Sequence, residues 1–202
     1  MKNIAVFASG RGSNFGAIAG SVRSGKIKAR LALLVCDQPA AGVIKMAKRL
    51  GVKVALVVRK DFPDRNCFES AIIDHLKRNS IDLVVLAGFM RMLGPKLVRA
   101  YKGRIINIHP ALLPSFKGSR GIKDALDYGA KLTGVTVHFV DELMDHGPII
   151  LQSEVRIKEG DTLEALEARI HKAEHKLYSE AVGLFVAGRL EIRGRKVRIS
   201  SR

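Results

Sequence analysis

The chain has 202 residues, with 35 lysines and arginines against 19 aspartates and glutamates, a formal net charge of +16. That length fits one or two domains around a well-buried core, and 47% hydrophobic with 27% charged residues excludes a disordered or collagen-like chain. Cys36 and Cys67 are the only cysteines, too few for a disulfide framework or a four-cysteine zinc site. With no apolar run of about 18 residues and no signal-like N-terminus, the expectation is a soluble cytoplasmic protein. The positive charge attracts phosphate, carboxylates or nucleic acid without choosing among them.

In chain order, Asn3–Ala8 is an apolar strand ending in Ser9-Gly10-Arg11-Gly12-Ser13-Asn14, and a segment of helical spacing (Phe15, Ile18, Ala19, Val22) follows, closed by Gly25. Leu31–Cys36 reads as a buried strand, Ala40–Leu50 as a helix, Val52–Val58 as a strand, Pro63–Asn79 as a helix and Leu83–Ala87 as a strand. Continuous apolar strands alternating with helices predict an α/β, doubly wound, mostly parallel sheet with helices on both faces. A short helix after Gly94-Pro95 leads to the strand Arg104–Ile108, and His109–Gly121 reads as a long loop. Leu132–Val140 and Pro148–Val155 form a candidate strand pair. Thr162–Phe185 is the longest amphipathic helix, with Asp161 as its expected N-cap. From Gly188, alternating Leu190, Ile192, Val197 and Ile199 around Gly194 predict a terminal hairpin, within a basic tail of about residues 188–202. No composition break divides the chain, so a single domain over 1–202 is expected.

Several segments carry candidate chemistry. In Gly10–Asn14 the glycines let backbone approach an anion, and the helix that follows presents unpaired N–H groups. This is neither a Walker loop nor a full GxGxxG. It reads as a mononucleotide-like phosphate site, the alternative being a tight turn capped by Ser13. In Asn107-Ile108-His109 the amide and imidazole share one face of a strand. At the carboxyl end of a parallel strand that face opens into the ligand crevice, where an amide beside a histidine suits a carbonyl oxygen becoming an oxyanion. The alternative is a pair of residues satisfying a loop exit. Asp141–Pro148 is an acidic turn, functional if one carboxylate reaches His109 and otherwise a solvated loop. Phe89–Leu93 offers an apolar lip with one cation for an aromatic anion, unless Met90 and Met92 simply pack. His171 and His175 lie at i and i+4 without a matching third ligand, so no metal is expected. Cys36 and Cys67 read as buried thiols rather than nucleophiles.

Taken together, Ser9–Asn14, Ala87-Gly88-Phe89-Met90-Arg91, Ile106-Asn107-Ile108-His109-Pro110-Ala111-Leu112-Leu113-Pro114 and Asp141–Pro148 resemble the phosphoribosylglycinamide formyltransferase family of the formyltransferase superfamily. The resemblance runs through Glu174-His175. It implies a Rossmann-like formyltransferase fold and formyl transfer from 10-formyltetrahydrofolate, as cosubstrate, to glycinamide ribonucleotide in de novo purine synthesis. By the same resemblance Asn107, His109 and Asp145 form the catalytic set. Gly12, Ser13, Asn14 and Glu174 contact the ribonucleotide. Arg65, Met90, Arg91, Met92, Leu93, Asn107, Val140 and Asp141 line the folate site. The expected partners are these two small molecules, with no metal, membrane or nucleic acid, and the chain acts as a monomer or homodimer.

After Pro114 the sequence departs from the usual family pattern. Lys117 replaces a proline, and Ser119-Arg120 follows. Methionyl-tRNA formyltransferase is disfavoured because only a short tail follows the last helix, where that enzyme carries a tRNA-binding domain. Formyltetrahydrofolate deformylase is the alternative, disfavoured because the chain begins at its first strand. A nucleic-acid-binding role, suggested by the basic tail, lacks interleaved aromatics: Phe, Trp and Tyr together make 5% of the chain.

Overall fold

Apolar runs of four to eight residues, each cut off by a polar or glycine turn, set the strand framework. A computed structural model describes residues 1–201, with nine strands and six α-helices among them. They fall into two compact units, Met1–Ile106 and a second beginning at Asn107. No helix among the described residues is long and apolar enough to cross a membrane.

In the first unit, β1 (Lys2–Phe7), α1 (Ser13–Arg23), β2 (Ala29–Cys36), α2 (Gly42–Arg49), β3 (Lys53–Leu56), α3 (Arg65–Arg78), β4 (Leu83–Leu86) and α4 (Pro95–Ala100) follow in order. The strands pair in parallel in the order β3-β2-β1-β4. Phe7 stands opposite both Val35 and Leu86, so β1, β2 and β4 end level. Whatever follows those ends (Ser9, Asp37, Gly88) is thereby brought together. The strands are nearly all apolar, and Ile4, Val6, Phe7, Leu33, Leu34, Leu83 and Val85 have no exposed surface. Each such side chain contributes about 2 kcal/mol by leaving water.

Gly12 opens α1 with φ of 85°, and a Cβ there would lie 2.6 Å from Val43 Cγ2. Backbone sterics and packing both require glycine. Ser13 is the first helical residue and no side chain caps α1, so the alternative of a Ser13-capped turn does not hold. Asp64 caps α3 by accepting from Cys67 N at 2.8 Å. From α3, buried Glu69 accepts from the backbone N–H of Gly94 and of Leu97, and so satisfies the start of α4. Cys36 is buried, but Cys67 is exposed, because it sits in the first turn of α3 beside Asp64 and not on its apolar stripe.

The second unit contains the end of β5 (Ile105–His109), α5 (Gly121–Asp127), β6 (Leu132–Phe139), β7 (Ile149–Arg156), α6 (Leu163–Val186), β8 (Leu190–Arg193) and β9 (Lys196–Ile199). The strand order is β5-β6-β7-β9-β8. β6 and β7 are antiparallel, with a register shift between Val137 and His138, and β8–β9 is the expected terminal hairpin. α6 packs on both β6 and β7 and buries Leu166, Ile170, Leu177, Tyr178, Ala181 and Val182. Its N-cap is Thr162, whose hydroxyl accepts from Ala165 N. Asp161, the expected cap, lies one residue outside and instead accepts from Lys158 N and pairs with Arg169. The seven-residue α5 was not expected. It buries Gly121, Ile122 and Ala125, too short a stripe for periodicity to reveal.

Candidate active site

β5 carries Asn107 and His109 on alternate positions, as strand geometry requires, and the second unit places two further side chains beside them. His109 Nδ1 is 3.4 Å from Asp145 Oδ2, and His138 Nε2, from β6, is 3.8 Å from Asp145 Oδ1. Asn107 Nδ2 lies 3.3 Å from His138 Nε2. His109 and His138 are buried and Asp145 nearly so, which keeps water from screening the cluster. Asp145 Oδ2 also accepts from Gly118 N at 2.8 Å, so the carboxylate is held by backbone as well as by imidazole.

The hydrogen-bond partners fix which atoms donate. His138 Nδ1 lies 2.8 Å from the carbonyl of Phe139 and must carry the proton there, leaving Nε2 as an acceptor. Nε2 therefore takes one hydrogen of the Asn107 amide and orients it, and the second amide hydrogen stays available. His109 differs, because both its nitrogens face oxygen: Nε2 is 2.8 Å from the Phe116 carbonyl and Nδ1 faces Asp145. To act on a ligand, Nε2 exchanges the Phe116 carbonyl for a ligand oxygen. Gly121 permits this close packing, since a Cβ there would meet Phe116 O at 2.9 Å and His109 Nε2 at 3.2 Å.

Burial pushes the His138 imidazole below its ordinary range, and burial with nearby Arg78 and Lys53 does the same to His75. The unfolded chain then binds more protons than the folded one below about pH 6.5, so stability is full above that pH and is lost as pH falls through the folded value. The thermal midpoint is expected to drop between about pH 7.5 and 5.5, with a shallower slope in His138→Gln. Scanning calorimetry across that range checks it; an unchanged slope in the variant would remove His138 from the account.

The acidic loop is folded on itself. Asp141 accepts from Leu143 N at 3.0 Å and stands 2.7 Å from His146 Nδ1, and Arg195 of the terminal hairpin donates to the His146 carbonyl. Asp145 sits in the left-handed region, with φ of 48°. Val140 is half-buried. Glu174, expected near the ribonucleotide, is buried on α6 with His171 Nδ1 at 3.0 Å.

In the first unit, the turn at Gly10–Asn14 leaves the first N–H groups of α1 without a side-chain cap, the arrangement that receives an anion. Met90 and Met92 do not pack. They are 75% and 59% exposed, while Leu93 is buried. Arg65 donates to Met92 O at 2.7 Å and pairs with Glu69, so it orders the lip. Arg91 pairs with buried Asp37.

Sequence reasoning missed His138 and Asp37. His138 is a polar residue inside an apolar strand, and Asp37 is the first polar residue after one, the same signal that singled out Asn107 and His109.

The formyl transferase family profile matches residues 2–182. The phosphoribosylglycinamide formyltransferase of Bacillus subtilis is 48% identical over 182 residues, which is 90% of this chain and 93% of that protein. The crystal structure of glycinamide ribonucleotide transformylase 1 from Symbiobacterium toebii superposes with a TM-score of 0.98 at 43% identity, covering 100% of this chain and 95% of that one. A formyltetrahydrofolate deformylase from Pseudomonas syringae pv. tomato shares the fold at a TM-score of 0.92, but at 25% identity and over 66% of its own length.

Proposed function

Since the chain belongs to the formyl transferase family, we infer that it transfers a formyl group from 10-formyltetrahydrofolate to the amine of N1-(5-phosphoribosyl)glycinamide, a step of de novo purine biosynthesis. The observation that carries the choice of transferase over deformylase is the 48% identity over nearly the whole Bacillus subtilis enzyme. We place the reaction in the cytoplasm, with the two small molecules as the partners of a monomer or homodimer.

The lip suits the donor: exposed Met90 and Met92 give apolar surface for an aromatic ring system, and Arg91 gives a cation for its carboxylates. Arg65, Leu93, Asn107, Val140 and Asp141 complete the residues assigned to it. Gly12, Ser13 and Asn14 hold the ribonucleotide phosphate on backbone N–H groups and the α1 dipole, and Glu174 contacts the rest of that substrate. The bound donor supplies a formyl carbon activated for attack by an amine.

No protein nucleophile is needed. The substrate amine forms a bond to the formyl carbon, and charge moves onto the formyl oxygen. The free N–H of Asn107 and the Nε2–H of His109 donate to that oxygen, while Asp145 holds His109 through Nδ1. As the carbon–nitrogen bond to the folate breaks, the proton lost by the amine passes to the departing nitrogen, through His109 or a water beside it.

An absorbance assay of the folate product, run with glycinamide ribonucleotide and without acceptor, tests the function. Product that depends on the acceptor is the expected result; equal product without acceptor would make the protein a hydrolase.

A further inference from the structure

Asp37 follows the last residue of β2 and is 2% exposed, a buried carboxylate that the catalytic scheme leaves unused. Its two oxygens have different partners. Ser9 Oγ donates to Oδ1 at 2.6 Å, and Arg91 Nε donates to Oδ2 at 2.6 Å, with Gln38 Nε2 at 3.5 Å from the same oxygen. Ser9 is itself a relay: its oxygen accepts from Met90 N at 3.0 Å, and its own N–H donates to Gly88 O. One carboxylate therefore ties Ser9, the residue that leads into the phosphate turn, to Met90 and Arg91 of the lip. The level ends of β1, β2 and β4 make the three-way contact possible.

We propose that Asp37 is a positioning residue that couples ribonucleotide binding at the turn to folate binding at the lip. The proposal rests on the function inferred above. With Nε held by Asp37, the Arg91 side chain is fixed at the lip while still 39% exposed, so its guanidinium can pair with an incoming carboxylate. An anion on the turn that settles Ser9 also settles Asp37, and through it Arg91 and Met90. A folate on the lip orders the same atoms from the other side. Each ligand then meets a site the other has already arranged, which by linkage makes the coupling reciprocal.

The network needs a carboxylate and not merely an acceptor. An asparagine at this position has one oxygen for two donors. If the oxygen faces Arg91, the amide nitrogen meets Ser9 Oγ and reverses the relay. If it faces Ser9, the amide nitrogen meets the guanidinium, donor against donor.

The test is calorimetric titration of tetrahydrofolate, which cannot transfer a formyl group, into the protein with and without glycinamide ribonucleotide. In the wild type the ribonucleotide is expected to tighten tetrahydrofolate binding at least about fivefold. In Asp37→Asn each ligand alone weakens by about tenfold and that ratio falls to about one. Ser9→Ala, which keeps the Asp37–Arg91 pair and deletes the relay, also brings the ratio to about one and stands in should Asp37→Asn fail to fold. A wild-type ratio near one, or a ratio retained in a folded variant, overturns the proposal. Acceptor-dependent formyl transfer by the wild type is measured on the same preparation. Its absence would sink the inferred function, whereas its presence with a retained ratio sinks the coupling alone.

Discussion

Asp145→Asn is expected to lower turnover by about a hundredfold or more while leaving the thermal midpoint near that of the wild type, taking oxyanion-site losses as the scale. The asparagine can still accept from Gly118 N, so the loop keeps its backbone anchor. The charge facing His109 Nδ1 at 3.4 Å is lost, and with it the favourable field for the imidazole proposed to donate to the formyl oxygen. The loss falls on kcat measured with both substrates saturating, because the interaction strengthens as charge develops. A variant with wild-type kcat and an unchanged pH–rate profile would show that Asp145 does not support His109.

Asn107→Ala is expected to cost about a hundredfold to a thousandfold in kcat, the scale of losing one donor to an oxyanion. The amide has two hydrogens, and His138 Nε2 takes one of them. That bond keeps the side chain from rotating, which in the proposed mechanism sets the other hydrogen in place before charge appears on the substrate. Alanine removes donor and orientation together. Steady-state kinetics checks the size, and circular dichroism checks that β5 still forms. A change confined to KM would make Asn107 a ground-state contact and remove it from the oxyanion site.

Much of this was legible from residue patterns. Apolar runs with glycine or polar stops located β1, β2 and β4, because parallel strands in the middle of a covered sheet carry little competing polar signal. Asn107 and His109 stood out because strand alternation puts an amide and an imidazole on one face at the carboxyl end of an otherwise apolar strand. What stayed hidden depends on register. His138 reaches Asn107 because β6 lies beside β5 in the sheet, and Asp37 reaches Arg91 because β1, β2 and β4 end level. Neither follows from spacing along the chain. The basic tail is also partnered within the chain. Arg193 pairs with Glu191, while Arg189 and Arg195 donate to the carbonyls of Ser200 and His146.

The left-handed backbone at Asp145 narrows what this position can become. Among L-residues, aspartate and asparagine tolerate φ near 48° most readily, whereas glutamate, though it has the same charge, brings a longer chain and a poorer fit to that conformation. The proposed chemistry at this position asks for a carboxylate and conformation asks for a short polar side chain; aspartate alone meets both. A directed search for altered activity would therefore find position 145 nearly closed. Its room for variation lies in the residues around it, where a neighbour can change what the carboxylate faces without disturbing the turn that presents it.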